Sequence, residues 1–92
     1  MSLEFEWDSI KSAANRRKHG VAFDEASSVF GDPLSVTIDD VGHSKVEDRF
    51  VIIGRSVGNR LLVVVYTERE DRLRLISARV ATPQEARAYG QV

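Results

Sequence analysis

Residues 49–80, RFVIIGRSVGNRLLVVVYTEREDRLRLISARV, decide the fold. Leu61-Leu62-Val63-Val64-Val65 is an unbroken apolar run, rich in β-branched residues. Such a run suits a central strand covered on both faces. Gly58-Asn59 ahead of it is a hairpin signal, and Glu70-Asp71 behind it marks a second turn. The segment predicts three successive antiparallel strands, Arg49–Ser56, Arg60–Thr67 and Arg72–Val80. In the last of these Leu73 and Leu75 alternate with Arg72 and Arg74, so a leucine face and a wet arginine face are expected. Arg79 falls on the leucine side of that alternation and needs a partner there: Glu68, Glu47 or a phosphate.

On the C-terminal side, Thr82-Pro83-Gln84-Glu85 has the threonine and glutamate of a capping box with proline at the first helical position. It predicts a short helix through Tyr89. On the N-terminal side, Leu3–Trp7 alternates as a short strand. Asp8 is placed to cap a helix over Ser9–His19, with a narrow apolar stripe of Ile10, Ala13 and Ala14. Gly20 sits where a glycine ends a helix. A second helix is expected from the cap candidate Asp24 through Val29 and Phe30, stopped by Gly31-Asp32-Pro33. Leu34–Ile38 reads as a strand and Asp39–Asp48 as a polar loop. The expected architecture is α+β: one small antiparallel sheet packed against two N-terminal helices and a short C-terminal helix.

Ninety-two residues, 42% of them hydrophobic, make one domain over residues 1–92 with a modest core. No stretch is long and apolar enough for a membrane span, and no basic, apolar leader is visible. A cytoplasmic protein is expected. With no cysteine and only His19 and His43, neither disulfides nor a thiolate or histidine-rich metal site is available, and no metal or cofactor is expected.

Net charge is −1, but it is divided: −3 over residues 1–10, +4 over 11–19, −6 over 20–48 and +4 over 49–92, where every base is arginine. Arginine carries a planar donor fork that suits phosphate. Several bases stand at element ends: Lys18 and His19 close the first helix, Arg55 ends one strand, Arg60 opens the next, Arg69 leaves the central strand and Arg79 ends the last. Some of the bases have a bland reading. Lys18 and His19 would stabilise a helix dipole by roughly 0.3–1 kcal/mol, and Arg16 and Arg17 would simply be solvated. Glu47 and Glu68 are the acids nearest these arginines in sequence, placed to orient them or to act as a general base. Asn15 would bind substrate or cap a loop. Cations, acids and a histidine without a metal site suit RNA cleavage, in which the 2′-OH attacks the neighbouring phosphate.

Taken in order, Phe5-Glu6-Trp7-Asp8, Asn15, Lys18-His19-Gly20-Val21-Ala22-Phe23-Asp24-Glu25-Ala26, Val29-Phe30, Asp32-Pro33, Asp48-Arg49-Phe50, Ile53-Gly54-Arg55-Ser56, Thr67-Glu68-Arg69 and Ile76-Ser77-Ala78-Arg79 resemble the BrnT family of type II toxin–antitoxin toxins. The resemblance runs from about Phe5 to Tyr89. It implies a RelE-like fold, a ribonuclease that blocks translation, a ribbon-helix-helix antitoxin, and a toxin–antitoxin complex that binds operator DNA. Matched phrases carry Lys18, His19, Arg49, Arg55, Arg69 and Arg79 into the site, with Glu47 and Glu68 as acids and Tyr89 as a lesser candidate. Arg55, Arg69 and Arg79 would hold the scissile phosphate, with Arg49, Arg60 and Asn15 also on substrate. Lys18 or His19 would be acid or charge stabiliser, and a glutamate the base. The rival expectation is a non-catalytic RNA- or partner-binding module of the same fold.

Overall fold

A computed structural model of the chain describes residues 3–39 and 49–90. The elements run β1 (Glu4–Glu6), α1 (Ser9–His19), α2 (Phe23–Ser27), a 3-10 turn (Ser28–Gly31), β2 (Val36–Asp39), β3 (Arg49–Arg55), β4 (Leu61–Arg69), β5 (Arg72–Val80) and α3 (Pro83–Tyr89). The valine-rich run is the middle strand of a five-stranded sheet in the order β1-β5-β4-β3-β2. Strands β2 to β5 form the expected antiparallel meander. The sheet as a whole is mixed, because β1 joins β5 in parallel, Glu4 opposite Arg72 and Glu6 opposite Arg74.

One face of the sheet carries Ile52, Leu62, Val64, Tyr66, Leu75 and Ala78, which close on Val21, Phe23, Ala26 and Val29 from the helical layer. Aromatic rings extend this core. Phe30 lies 5.1 Å from Phe5 and 4.9 Å from Tyr66, and Trp7 meets Phe23 edge-on at 6.2 Å. Gly54 on β3 lets the 3-10 turn approach. A Cβ there would stand 2.7 Å from Cγ1 of Val29 and 3.0 Å from Cβ of Ser35.

Helix α1 has its expected limits. The Asp8 carboxylate accepts the N–H groups of Ile10 and Lys11, and Gly20 ends the helix at φ 73°. Its packing differs from expectation. Ile10 is 76% exposed and Ala13 and Ala14 face solvent, while the buried residue of α1 is Asn15. Asn15 docks the helix by hydrogen bonds rather than by an apolar stripe. Its Nδ2 donates to the carbonyls of Val21 and Ala78, both at 2.8 Å, and its Oδ1 accepts the Ala78 N–H at 3.2 Å.

Helix α2 starts at Phe23, not after Asp24. The cap comes from a neighbouring helix, since Ser12 Oγ accepts the Phe23 N–H at 3.3 Å. Asp24 and Glu25 then lie in the first turn, where their charge favours the helix N-terminus. Beyond Ser27 the chain tightens into the 3-10 turn instead of continuing the helix. Strand β2 begins at Val36, because Asp32 draws residues 32–35 into a turn through the N–H groups of Leu34 and Ser35. The expected loop 39–48, with His43, Glu47 and Asp48, falls beyond Asp39 outside the described residues.

Candidate functional site

A bulge in β5 decides where Arg79 points. Val65 pairs with Ser77 but Tyr66 pairs with Leu75, so Ile76 has no counterpart. One extra residue inverts the alternation beyond it. Ala78 takes the core face, and Arg79 lies on the face opposite the core, shared with Arg72 and Arg74. The sequence expectation that Arg79 puts a charge on the leucine face is not met, because the bulge turns it to the other side. Arg79 sits in the row Val36–Ile53–Val63–Arg79.

Its partner is neither Glu68 nor Glu47 but Glu85. Arg79 donates from both terminal nitrogens, 2.7 Å to each carboxylate oxygen. Thr82 receives the Glu85 N–H at 3.2 Å, and Glu85 Oε1 accepts the Thr82 N–H at 2.9 Å, closing the capping box. Glu85 is therefore both cap and counter-ion. The Arg79 guanidinium holds its carboxyl down at about 2.

Arg55 ends β3 on the same face. Its N–H donates to Asp32 Oδ2 at 2.8 Å, and its guanidinium lies 5.8 Å from the Tyr89 ring centre. Tyr89 donates its O–H to Asp32 Oδ2 at 2.7 Å. The N–H groups of Arg55 and Leu34, then Tyr89, lower the Asp32 pKa, and the same Asp32 bond raises that of Tyr89. Helix α3, with no fully buried residue, is thus fastened at one end by Arg79 and at the other by Asp32 and Arg55.

Arg60 turns toward the helical layer. Its Nε donates to Glu25 Oε2 at 3.0 Å, a terminal nitrogen bonds Glu25 Oε1, and another bond reaches the Gly20 carbonyl at 3.0 Å. Ser56 Oγ adds a bond to Glu25 at 2.7 Å. Arg60, then Ser56, lowers the Glu25 pKa. The β3–β4 hairpin is thereby tied to the C-terminus of α1, beside its basic last turn Arg16-Arg17-Lys18-His19. Lys18 is exposed and His19 half-buried. Neither forms an ion pair with another described residue.

At one end of the sheet the structure therefore places Lys18, His19 and Arg60 on the helical side and Arg55 and Arg79 on the opposite face. Arg49, Glu68 and Arg69 lie at the other. Arg69 is six positions along β4 from Val63, the partner of Arg79, which is about 20 Å at ~3.3 Å per residue. Arg55, Arg69 and Arg79 share a face, yet one phosphate cannot touch all three. Asn15, with its amide engaged internally, lies behind this end of the sheet. Glu47 lies outside the described residues. Glu25, Asp32 and Glu85 were not singled out as partners from the sequence. The capping-box glutamate six residues after Arg79 was the available signal for Glu85. The contacts of Glu25 and Asp32 with Arg60 and Arg55 join residues 35 and 23 positions apart, with no local signature.

Among the described residues no three His, Cys, Asp or Glu side chains converge as metal ligands, and no helix is long and apolar enough to cross a membrane. The fold is similar to the crystal structure of the Brucella abortus ribonuclease toxin BrnT, with a TM-score of 0.66 at 23% identity, covering 88% of this chain and 99% of that one. No curated protein matches the chain. The profile of the ribonuclease toxin BrnT of type II toxin–antitoxin systems matches residues 7–85, nearly the whole length, and the chain belongs to the BrnT toxin family.

Proposed function

We propose that this protein is a metal-independent endoribonuclease toxin that acts on RNA in the cytoplasm and inhibits translation. A ribbon-helix-helix antitoxin neutralises it, and the complex of the two binds operator DNA. The observation that carries this reading is the basic end of the molecule. The last turn of α1 presents Lys18 and His19 without ion-pair partners among the described residues, beside Arg60 and within a family of ribonuclease toxins.

Imidazole can take and return a proton near neutral pH. His19 takes the proton of the 2′-OH as that oxygen attacks the adjacent phosphorus, and the bond to the 5′-oxygen breaks. Lys18, the other acid candidate, gives a proton from its ammonium to the departing 5′-oxygen and faces the charge that develops on the phosphate. Arg60 stands beside Lys18 and His19 on the helical side, Arg55 and Arg79 contact the flanking RNA strand on the other face of the same end, and Asn15 holds α1 against β5. Arg49, Glu68 and Arg69, at the far end, contact RNA away from the cut.

Cleavage of a defined RNA in excess EDTA, and resistance of the same strand carrying a single deoxynucleotide 5′ of the cut, test the reaction. Loss of cleavage on chelation with recovery on adding magnesium would replace it by a metal-dependent mechanism. A second reading, a binding module without turnover, is favoured by one feature: Arg60 and Arg79 are already paired with Glu25 and Glu85. Inhibition of translation in a purified extract without RNA fragments would support it.

A further inference from the structure

Helix α1 and the chain entering α2 enclose a shallow groove of about 490 Å³, lined among others by Trp7, Ser12, Arg16, Arg17, Ala22 and Asp24. It runs on into a second groove of the same volume that shares Arg16, Ala22 and Asp24 and ends at Arg60. Three features of this trough leave side chains partly or wholly open to a ligand. Arg16 and Arg17 are exposed and make no ion pair with another described residue. Trp7 is only half-buried, yet it is fixed by its edge-on contact with Phe23. Asp24 is exposed and accepts the neighbouring Glu25 N–H on Oδ1, while its Oδ2 makes no hydrogen bond with another described residue.

A fixed aromatic ring, two guanidinium groups unpaired among the described residues and one carboxylate are the components of a nucleotide subsite. Bases stack on aromatic rings without regard to sequence, and arginine takes the phosphate. The carboxylate repels phosphate and accepts from an exocyclic amine, as acids do with cytosine N4. We infer that this trough binds an unpaired nucleotide of the RNA substrate, its base against Trp7, its phosphates on Arg16 and Arg17, and its amino group on Asp24. The continuation past Gly20 to Arg60 leads the strand along the C-terminal end of α1, the helix whose last turn carries Lys18 and His19, although neither lines the groove. The inference rests on the ribonuclease reading and adds the site that would select the base.

Trp7 is the only tryptophan in the chain, so its fluorescence reports this groove alone. Nine-nucleotide deoxyoligomers, which lack the attacking hydroxyl, serve as probes. Their binding to the full chain is followed both by anisotropy of an end label and by Trp7 emission. Expected are quenching of Trp7 that saturates with the anisotropy change, and about tenfold weaker binding for the Arg16→Ala/Arg17→Ala variant. The salt slope should fall by about 1.4, two phosphates at ~0.7 each for a single strand. Oligo-dC should bind tighter than oligo-dT, and Asp24→Asn should narrow that preference. Both variants alter exposed side chains, and an unchanged melting temperature confirms that they fold. Anisotropy without Trp7 quenching, with wild-type affinity in the double arginine variant, would overturn the subsite while leaving RNA binding intact. No anisotropy change with any oligomer would overturn both.

Discussion

Arg79 and Glu85 meet as a planar fork on a carboxylate, two N–H···O bonds of 2.7 Å across the start of α3. The side chains are 42% and 28% exposed, so solvent screens the pair and its worth is well below that of a buried one. Glu85→Gln removes the charge and keeps the shape. It is expected to lower stability by about 1 kcal/mol and to speed hydrogen exchange in Pro83–Tyr89 before the rest of the chain. Unaltered exchange in that helix would show that the pair does not hold α3 down.

The same pair sets an acid limit. Glu85 is held at about 2, against 4.5 for a free glutamate. A lowered folded-state pKa stabilises fully above the unfolded value and is lost as pH falls through the folded one. Stability should therefore decline from about pH 4.5 toward pH 2, with about 1–2 kcal/mol from this pair after screening. Denaturant titrations across that range should give a shallower decline for Glu85→Gln than for the native chain.

Asn15→Ala would strand the Ala78 N–H and C=O and the Val21 C=O without their amide partner. Unsatisfied buried groups cost about 1–3 kcal/mol each, so a loss of at least 3 kcal/mol is expected. Asn15→Asp should do no better, since a carboxylate cannot donate to two carbonyls. Urea midpoints near the native value for either variant would contradict the docking role.

At the proposed catalytic end, His19→Ala should reduce RNA cleavage by about 10²–10⁴-fold with little change in melting temperature. Arg69→Ala, at the opposite end of the sheet, should weaken RNA binding in a salt-dependent way and leave kcat within about threefold. If Arg69→Ala abolishes turnover while His19→Ala does not, the site lies at the other end.

Gly54→Ala tests the packing that brings the 3-10 turn over β3. With Val29 Cγ1 at 2.7 Å from the new methyl, about 1–3 kcal/mol of destabilisation is expected. Thermal unfolding of the purified variant measures it.

Signals carried by neighbouring residues were sufficient for most of the elements. The Asp8 cap, the Gly20 terminus, the Thr82–Glu85 box and the bounds of β5 could be assigned from sequence because each depends on residues within a few positions. The valine run determined a central strand because burial on both faces leaves no polar position. Other features were settled only by tertiary structure. Asp24 was displaced as a cap by Ser12, from a different helix, and α1 docks through Asn15 because Ala78 lies 63 positions away. The face of Arg79 depends on a bulge opposite Val65 and Tyr66, and alternation within one strand cannot register an extra residue against its partner. The division of the arginines between two ends of the sheet has the same origin. Charge is a property of single residues, but which charges share a neighbourhood follows from strand direction, and antiparallel pairing sends Arg55 and Arg69 to opposite ends.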